Sequence, residues 1–203
     1  MSEGAGGRTA LAEALFRIGA LRFGKFTLPS GKATSYFLDL RVVPSDPEAY
    51  RLAIEACRAV AASFGEGSFD ALAGVGTAGV TLSSPLAYLL KKPMLCVGDD
   101  RTERGLGQPV EGAVRPGWRT VVVGDAVSTG ASIWSAVEAL RKAGCVVKDA
   151  LVLVDRQESG KTSLATAGVR LASFVDVGTL VEILFQGKRI TKANHDAVVK
   201  QLR

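Results

Sequence analysis

Val121-Val122-Val123-Gly124-Asp125-Ala126-Val127-Ser128-Thr129-Gly130-Ala131-Ser132 runs from a β-branched stretch through an acid into hydroxyls and a glycine, and its reading decides the fold. Three consecutive valines suit a strand buried on both faces. The apolar residues that follow, Ile133, Trp134, Val137 and Leu140, are spaced as on a helix, so the Ser-Thr-Gly turn sits at a helix N-terminus. Free N–H groups and the positive end of the helix dipole favour a phosphate there. Ser128, Thr129 and Ser132 add hydroxyl donors, and Asp125, ionised at neutral pH, accepts from vicinal sugar hydroxyls. Gly130 lets the backbone approach a ligand closely. The plainer alternative is an ordinary strand, a hydroxyl-capped turn and a helix. No Gly-Lys-Ser/Thr follows, so this is not a Walker loop, and the three-glycine dinucleotide spacing is missing.

Outward from this stretch the chain alternates strand, turn and helix. Strands are expected over 71–75, 94–97, 121–123 and 150–154, and helices over 78–90 and 131–143. Such alternation specifies an α/β fold, a central parallel β-sheet flanked by helices. Before it, a helix is expected over 8–22, then a strand broken by the turn at Phe26–Gly31, a strand over 36–40, and a helix over 47–64 with Asp46 as N-cap and Pro47 first. Two helices, 178–186 and 191–202, close the chain, the second capped by Thr191. Between Val97 and Trp118 the pattern lapses into a polar, Gly-rich stretch that reads as a flexible lid or β-ribbon over 98–112.

With 203 residues and 47 % of them hydrophobic, one domain with a single core is the economical reading. No apolar run approaches the roughly 18 residues of a membrane span, and residues 1–10 lack the regions of a signal peptide, so a cytoplasmic protein is expected. Cys57, Cys96 and Cys145 are scattered among apolar residues and read as buried thiols; no protein-held metal is expected. The formal charge of +5 is spread along the chain, which suits an anionic small molecule and gives a nucleic-acid partner little support. His195 reads as a surface residue without a partner.

The order of strand, acid, hydroxyls, glycine and helix resembles the 5-phosphoribosyl 1-diphosphate (PRPP) motif of the type I phosphoribosyltransferases. Phe23–Gly31 with Ser35–Asp39, the loop Gly74–Gly79, the triplet Val110–Gly112 and Asp155-Arg156 resemble one branch, the orotate phosphoribosyltransferases, in the same order along nearly the whole chain. The resemblance implies the type I phosphoribosyltransferase fold with a five-stranded parallel sheet, a hood from about 1–45 and 170–203, and a core over about 46–169. It implies a homodimer in which the long loop of one subunit reaches the other's site. The implied reaction is orotate plus PRPP to orotidine 5'-monophosphate and pyrophosphate, with magnesium carried on PRPP. Asp125, Ser128, Thr129, Gly130, Ala131 and Ser132 would take the ribose hydroxyls and 5'-phosphate, and the N–H groups of Thr77, Ala78 and Gly79 the pyrophosphate. Tyr36, Phe37, Ser128 and Arg156 would face the base. Two strand aromatics also suit a core, and Arg156 also suits an ion pair with a neighbouring acid.

Departures from the family pattern stand beside these matches. Gly124 replaces the first of two acids at the strand end. The long loop of the family carries an Arg-Lys pair, a further Lys and usually a His, whereas an ungapped alignment sets Gly98, Asp99, Thr102 and Arg104 there. A one-residue shift lets Arg101 and Arg104 stand in for the two lysines as the catalytic cations, beside Asp99, Asp100 and Glu103. Pro29 occupies a position where the family often has Lys, with Lys25 or Lys32 as substitutes. The alternative function is therefore a non-catalytic homologue that binds PRPP or a nucleotide in a regulatory role.

Overall fold

The structure, a computed structural model, describes residues 2–27, 31, 33–98 and 109–202. In chain order the elements are α1 (Ser2–Arg17), β1 (Leu21–Thr27), β2 (Ala33–Leu38), a 3-10 helix (Leu40–Ser45), α2 (Pro47–Ala62), β3 (Ala71–Val75), α3 (Gly76–Leu90), β4 (Met94–Val97) and β5 (Val110–Glu111). There follow β6 (Arg119–Val127), α4 (Ala131–Lys142), β7 (Val146–Asp155), α5 (Gly160–Thr166), β8 (Arg170–Asp176), α6 (Val177–Gln186) and α7 (Lys192–Leu202). Residues 1–53 with 175–203 form one compact unit, and residues 54–174 another.

In the unit of residues 54–174 a six-stranded sheet runs in the order β5-β4-β3-β6-β7-β8. Strands β4, β3, β6 and β7 are mutually parallel, and β5 runs antiparallel to β4. The sheet is thus mixed and one strand larger than the five-stranded parallel sheet expected. Val110 and Glu111, inside the stretch expected as a flexible lid or β-ribbon, pair with Val97 and Cys96; a two-residue strand has no alternation by which the sequence could place it. The valines of β6 are 0–2 % exposed, as a strand covered on both faces requires. Ile133, Ala136, Val137 and Leu140 form the inward stripe of α4 and pack with Val122, Val152 and Leu95. Each large member of that stripe stabilises by about 2 kcal/mol through burial. At the opposite end of β6, Arg119 grips Asp70 through Nε at 2.9 Å, Nη2 at 2.6 Å and its own amide at 2.9 Å, which pins the start of β6 beside that of β3.

In the other unit the first helix ends sooner than expected. Its last residue is Arg17; Gly19, at φ +71°, turns the chain out, and Leu21 enters β1 although it continues the helical spacing. β1 and β2 form an antiparallel pair with Leu21 opposite Leu38 and Phe23 opposite Tyr36, and Leu40 lies in the 3-10 helix, outside the strand expected to include it. Asp46 caps α2, accepting from the Ala49 amide at 2.8 Å, and Thr191 caps α7, accepting from Asn194 at 3.2 Å. His195 is not a lone surface residue: Nε2 lies 3.1 Å from Glu182, Nδ1 lies 3.0 Å from Asp196, and the ring stacks on Phe185 with centroids 4.5 Å apart. Among the described residues no helix is long and apolar enough to cross a membrane.

Candidate active site

Because β3, β6 and β7 are parallel, their carboxyl ends deliver residues 76–79, 128–132 and 156 to one edge of the sheet, where open α/β sheets receive ligands. The helix starts at this edge differ from those elsewhere. Asp46, Asp176 and Thr191 cap α2, α6 and α7 with their side chains. Neither Val75, before α3, nor Gly130, before α4, makes a side-chain cap bond. The two long helices that spring from the sheet edge therefore leave N–H groups for an external acceptor.

At the cradle, Gly130 sits at φ +84°, a left-handed conformation that glycine adopts without strain, and its carbonyl accepts the first bond of α4 from Trp134 at 2.9 Å. Among the described residues the amides of Thr129, Gly130 and Ser132 have no protein acceptor, and that of Ala131 has only the Thr129 hydroxyl at 3.5 Å. Ser128 is half-buried, while Thr129, Ala131 and Ser132 are exposed. A depression of about 380 Å³ opens beside them, lined by Thr129, Gly130, Ala131, Trp134 and the α5 residues Ser163 and Leu164.

Asp125 is half-exposed. A Cβ on Gly124 would meet Val152 at 3.3 Å and Ile133 at 3.6 Å, so strand alternation sends Asp125 to the face away from α4. Gly124 leaves only one carboxylate at the end of β6. Across from it, α3 presses onto the sheet at glycine distance: a Cβ on Gly79 would lie 2.5 Å from the Val123 carbonyl oxygen. Thr77 is exposed, Ala78 half-buried and Gly79 buried, and the Thr77 carbonyl accepts from the Thr81 hydroxyl at 2.7 Å.

Arg156 follows β7, its amide bonded to the Val127 carbonyl at 2.9 Å and its side chain 17 % exposed. Its Nε stands 3.4 Å from Glu158, the neighbouring acid that the plainer reading allows for. The turn is held by Asp155, which accepts from the Gln157 amide at 2.8 Å while Gln157 adopts φ +57°. Tyr36 and Phe37 belong to the other unit. Tyr36, 1 % exposed, is part of that unit's core, and half-buried Phe37 lies against Phe26 and under the Arg22 guanidinium. Arg101 and Arg104, like Pro29 and Lys32, lie outside the described residues.

Sequence reading missed Gly160. The turn after β7 lacks apolar periodicity, and the one available signal was a glycine opening a short helix, where close backbone approach is the usual reason.

No protein-family model matches the chain. The orotate phosphoribosyltransferase of Methanopyrus kandleri is 38 % identical over 85 % of this chain and 91 % of its own length, and that of Pyrobaculum islandicum 36 % identical over 86 % and 89 %. The chain belongs to the orotate phosphoribosyltransferase family. A solved orotate phosphoribosyltransferase from Aeropyrum pernix superposes with a TM-score of 0.78 at 38 % identity, covering 87 % of this chain and 99 % of the other. Against the longer UMP synthase of Leishmania donovani the TM-score is 0.84 at 30 % identity, and the chain spans 42 % of that protein. It spans 38 % of uridine 5'-monophosphate synthase from Bos taurus, at 34 % identity. The fold is accordingly the type I phosphoribosyltransferase fold, and the family is one of pentosyl-transferring glycosyltransferases.

Proposed function

We propose that the protein transfers the phosphoribosyl group of PRPP to orotate or a closely similar pyrimidine, giving orotidine 5'-monophosphate and pyrophosphate in pyrimidine biosynthesis. The observation that carries this reading is the pair of helix starts at the sheet edge, α3 and α4, uncapped by side chains, with Asp125 half-exposed at the end of the strand between them. One start suits the 5'-phosphate, the other the diphosphate. The C1–oxygen bond to diphosphate breaks with its electron pair leaving on oxygen. The pyrimidine nitrogen forms the new bond to C1 as its proton passes to the departing pyrophosphate. The intermediate charge resembles an oxocarbenium ion, so Asp125, fastening the ribose hydroxyls, holds a negative group near developing positive charge. Arg156 offers a planar fork to a carboxylate on the base, and Arg101 and Arg104 are assigned to the leaving pyrophosphate.

Magnesium, a hard cation that takes oxygen ligands, fits this residue set, which offers hydroxyls and the Asp125 carboxylate and neither thiolate nor imidazole. When bound on the diphosphate it offsets the charge of the leaving group. A cytoplasmic homodimer, with residues 98–112 of each subunit serving its partner's site, completes the reading.

Purified protein with PRPP, magnesium and orotate is expected to deplete orotate absorbance. Asp125→Asn is expected to slow this by about a hundredfold, the effect of losing roughly 3 kcal/mol of transition-state contact. Absence of turnover at saturating substrates refutes catalysis. Gly124 and the acids Asp99, Asp100 and Glu103 favour a second reading, a homologue that binds PRPP or a nucleotide and regulates a partner. Saturable PRPP binding without turnover selects it.

A further inference from the structure

Gly160 opens α5 and touches the phosphate cradle directly. Its amide donates to the Ser128 carbonyl at 2.7 Å. A Cβ at this position would lie 2.5 Å from Val127 Cγ2, 2.7 Å from the Ser128 carbonyl oxygen and 3.1 Å from the Gly130 nitrogen. The last two are backbone atoms of the cradle loop, which no rotamer change can move aside. From the other side, a Cβ on Gly130 would lie 3.3 Å from the Cα and carbonyl oxygen of Gly160. Gly160 does not have a positive φ, so space, not backbone conformation, demands the glycine.

We propose that Gly160 is a positioning residue that sets the conformation of the loop 128–132, and through it the capacity of that loop to hold a phosphate. What the loop holds rests on the function proposed above; that Gly160 shapes it does not. Four residues before Gly160, the Arg156 amide donates to the Val127 carbonyl at 2.9 Å. The turn 156–160 is therefore fastened to residues 127 and 128 at both of its ends, which ties the cradle to the turn bearing Arg156. A methyl at 160 must move about 0.7 Å away from the Ser128 carbonyl oxygen, and further from Val127 Cγ2, before the atoms reach ordinary separations. Displacements of that order at a binding constellation cost about tenfold in affinity or rate.

The test compares Gly160→Ala with Gly168→Ala. Gly168 lies beyond the other end of α5 at φ +70°, with open space where a Cβ would go, so alanine there strains the backbone without touching the loop. Both variants are expected to lower the thermal midpoint. Only Gly160→Ala is expected to move the 15N amide resonances of residues 128–132 and Arg156 in ligand-free protein, and to weaken PRPP binding by about tenfold or more in calorimetry. Amide shifts no larger than those of Gly168→Ala overturn the proposal, as does unchanged PRPP affinity beside a wild type that binds. A wild type that binds no PRPP instead removes the proposed function, and the amide resonances alone then decide the role of Gly160. Should Gly160→Ala not fold, the double variant with Val127→Ala removes the 2.5 Å contact, keeps the 2.7 Å one, and carries the same readouts.

Discussion

Replacing Gly79 with alanine presses one methyl between α3 and β6. Its carbon would lie 2.5 Å from the Val123 carbonyl oxygen and 3.4 Å from the Gly124 Cα. Val123 cannot retreat, because it is registered with Gly74 of β3 on one side and Leu151 of β7 on the other. The helix must lift instead, and with it the amides of Thr77, Ala78 and residue 79. Overpacking against immobile backbone falls at the upper end of its usual range, about 3 kcal/mol. Alanine recovers about 1 kcal/mol as the better helix former. The remaining destabilisation, about 2 kcal/mol, corresponds to a fall of about 4–8 °C in the melting midpoint for a chain of this size. Thermal unfolding of both proteins, followed by circular dichroism in the same buffer, measures it. A midpoint within about 1 °C of wild type, or above it, refutes the close approach of α3 to β6 as a constraint. PRPP affinity measured on the same samples is expected to fall with the midpoint.

Three further outcomes are expected. Hydrogen bonds to Asp196 and then Glu182 raise the His195 pKa above its ordinary 6.5, so its contribution to stability is complete below that value and disappears as pH rises through the raised one; melting scans from acid to alkaline pH should show this loss in wild type and not in His195→Gln. The bond from Arg17, reinforced by the Ala49 amide, lowers the Asp46 carboxyl to about 2, so its contribution is present above the ordinary 3.8 and lost as pH falls through about 2. Carboxyl NMR titration of Arg17→Ala should return Asp46 toward 3.8, and an unmoved titration removes this account of the cap. Burial pushes the Cys57 thiol to about 12, so iodoacetamide at mildly alkaline pH should leave Cys57 unmodified in the folded protein, and peptide mass mapping that finds it alkylated contradicts this burial.

How far the chain could be read alone depends on the distance over which each signal acts. The three valines of β6, the stripe Ile133–Val137–Leu140, and the caps Asp46 and Thr191 are written in adjacent residues, and their elements appear where spacing puts them. Helix spacing misled at Leu21, because Gly19 and the pairing of Leu21 with Leu38 outweighed one more apolar residue in register. Strand β5 was illegible for want of length, and α5 for want of a periodic pattern.

The sequence by itself determined an α/β chain, its phosphate-cradle motif and the family it resembles, since these rest on residue types at short, fixed spacings. Tertiary structure alone decided that β5 joins the sheet, that His195 lies between two carboxylates, and that Gly79 and Gly160 abut the backbone of β6 and of the cradle. Such contacts join residues about 30 to 45 positions apart at Gly160 and Gly79, and no local propensity encodes them. They exist because close-packed interiors leave no room for a single methyl where two backbones meet.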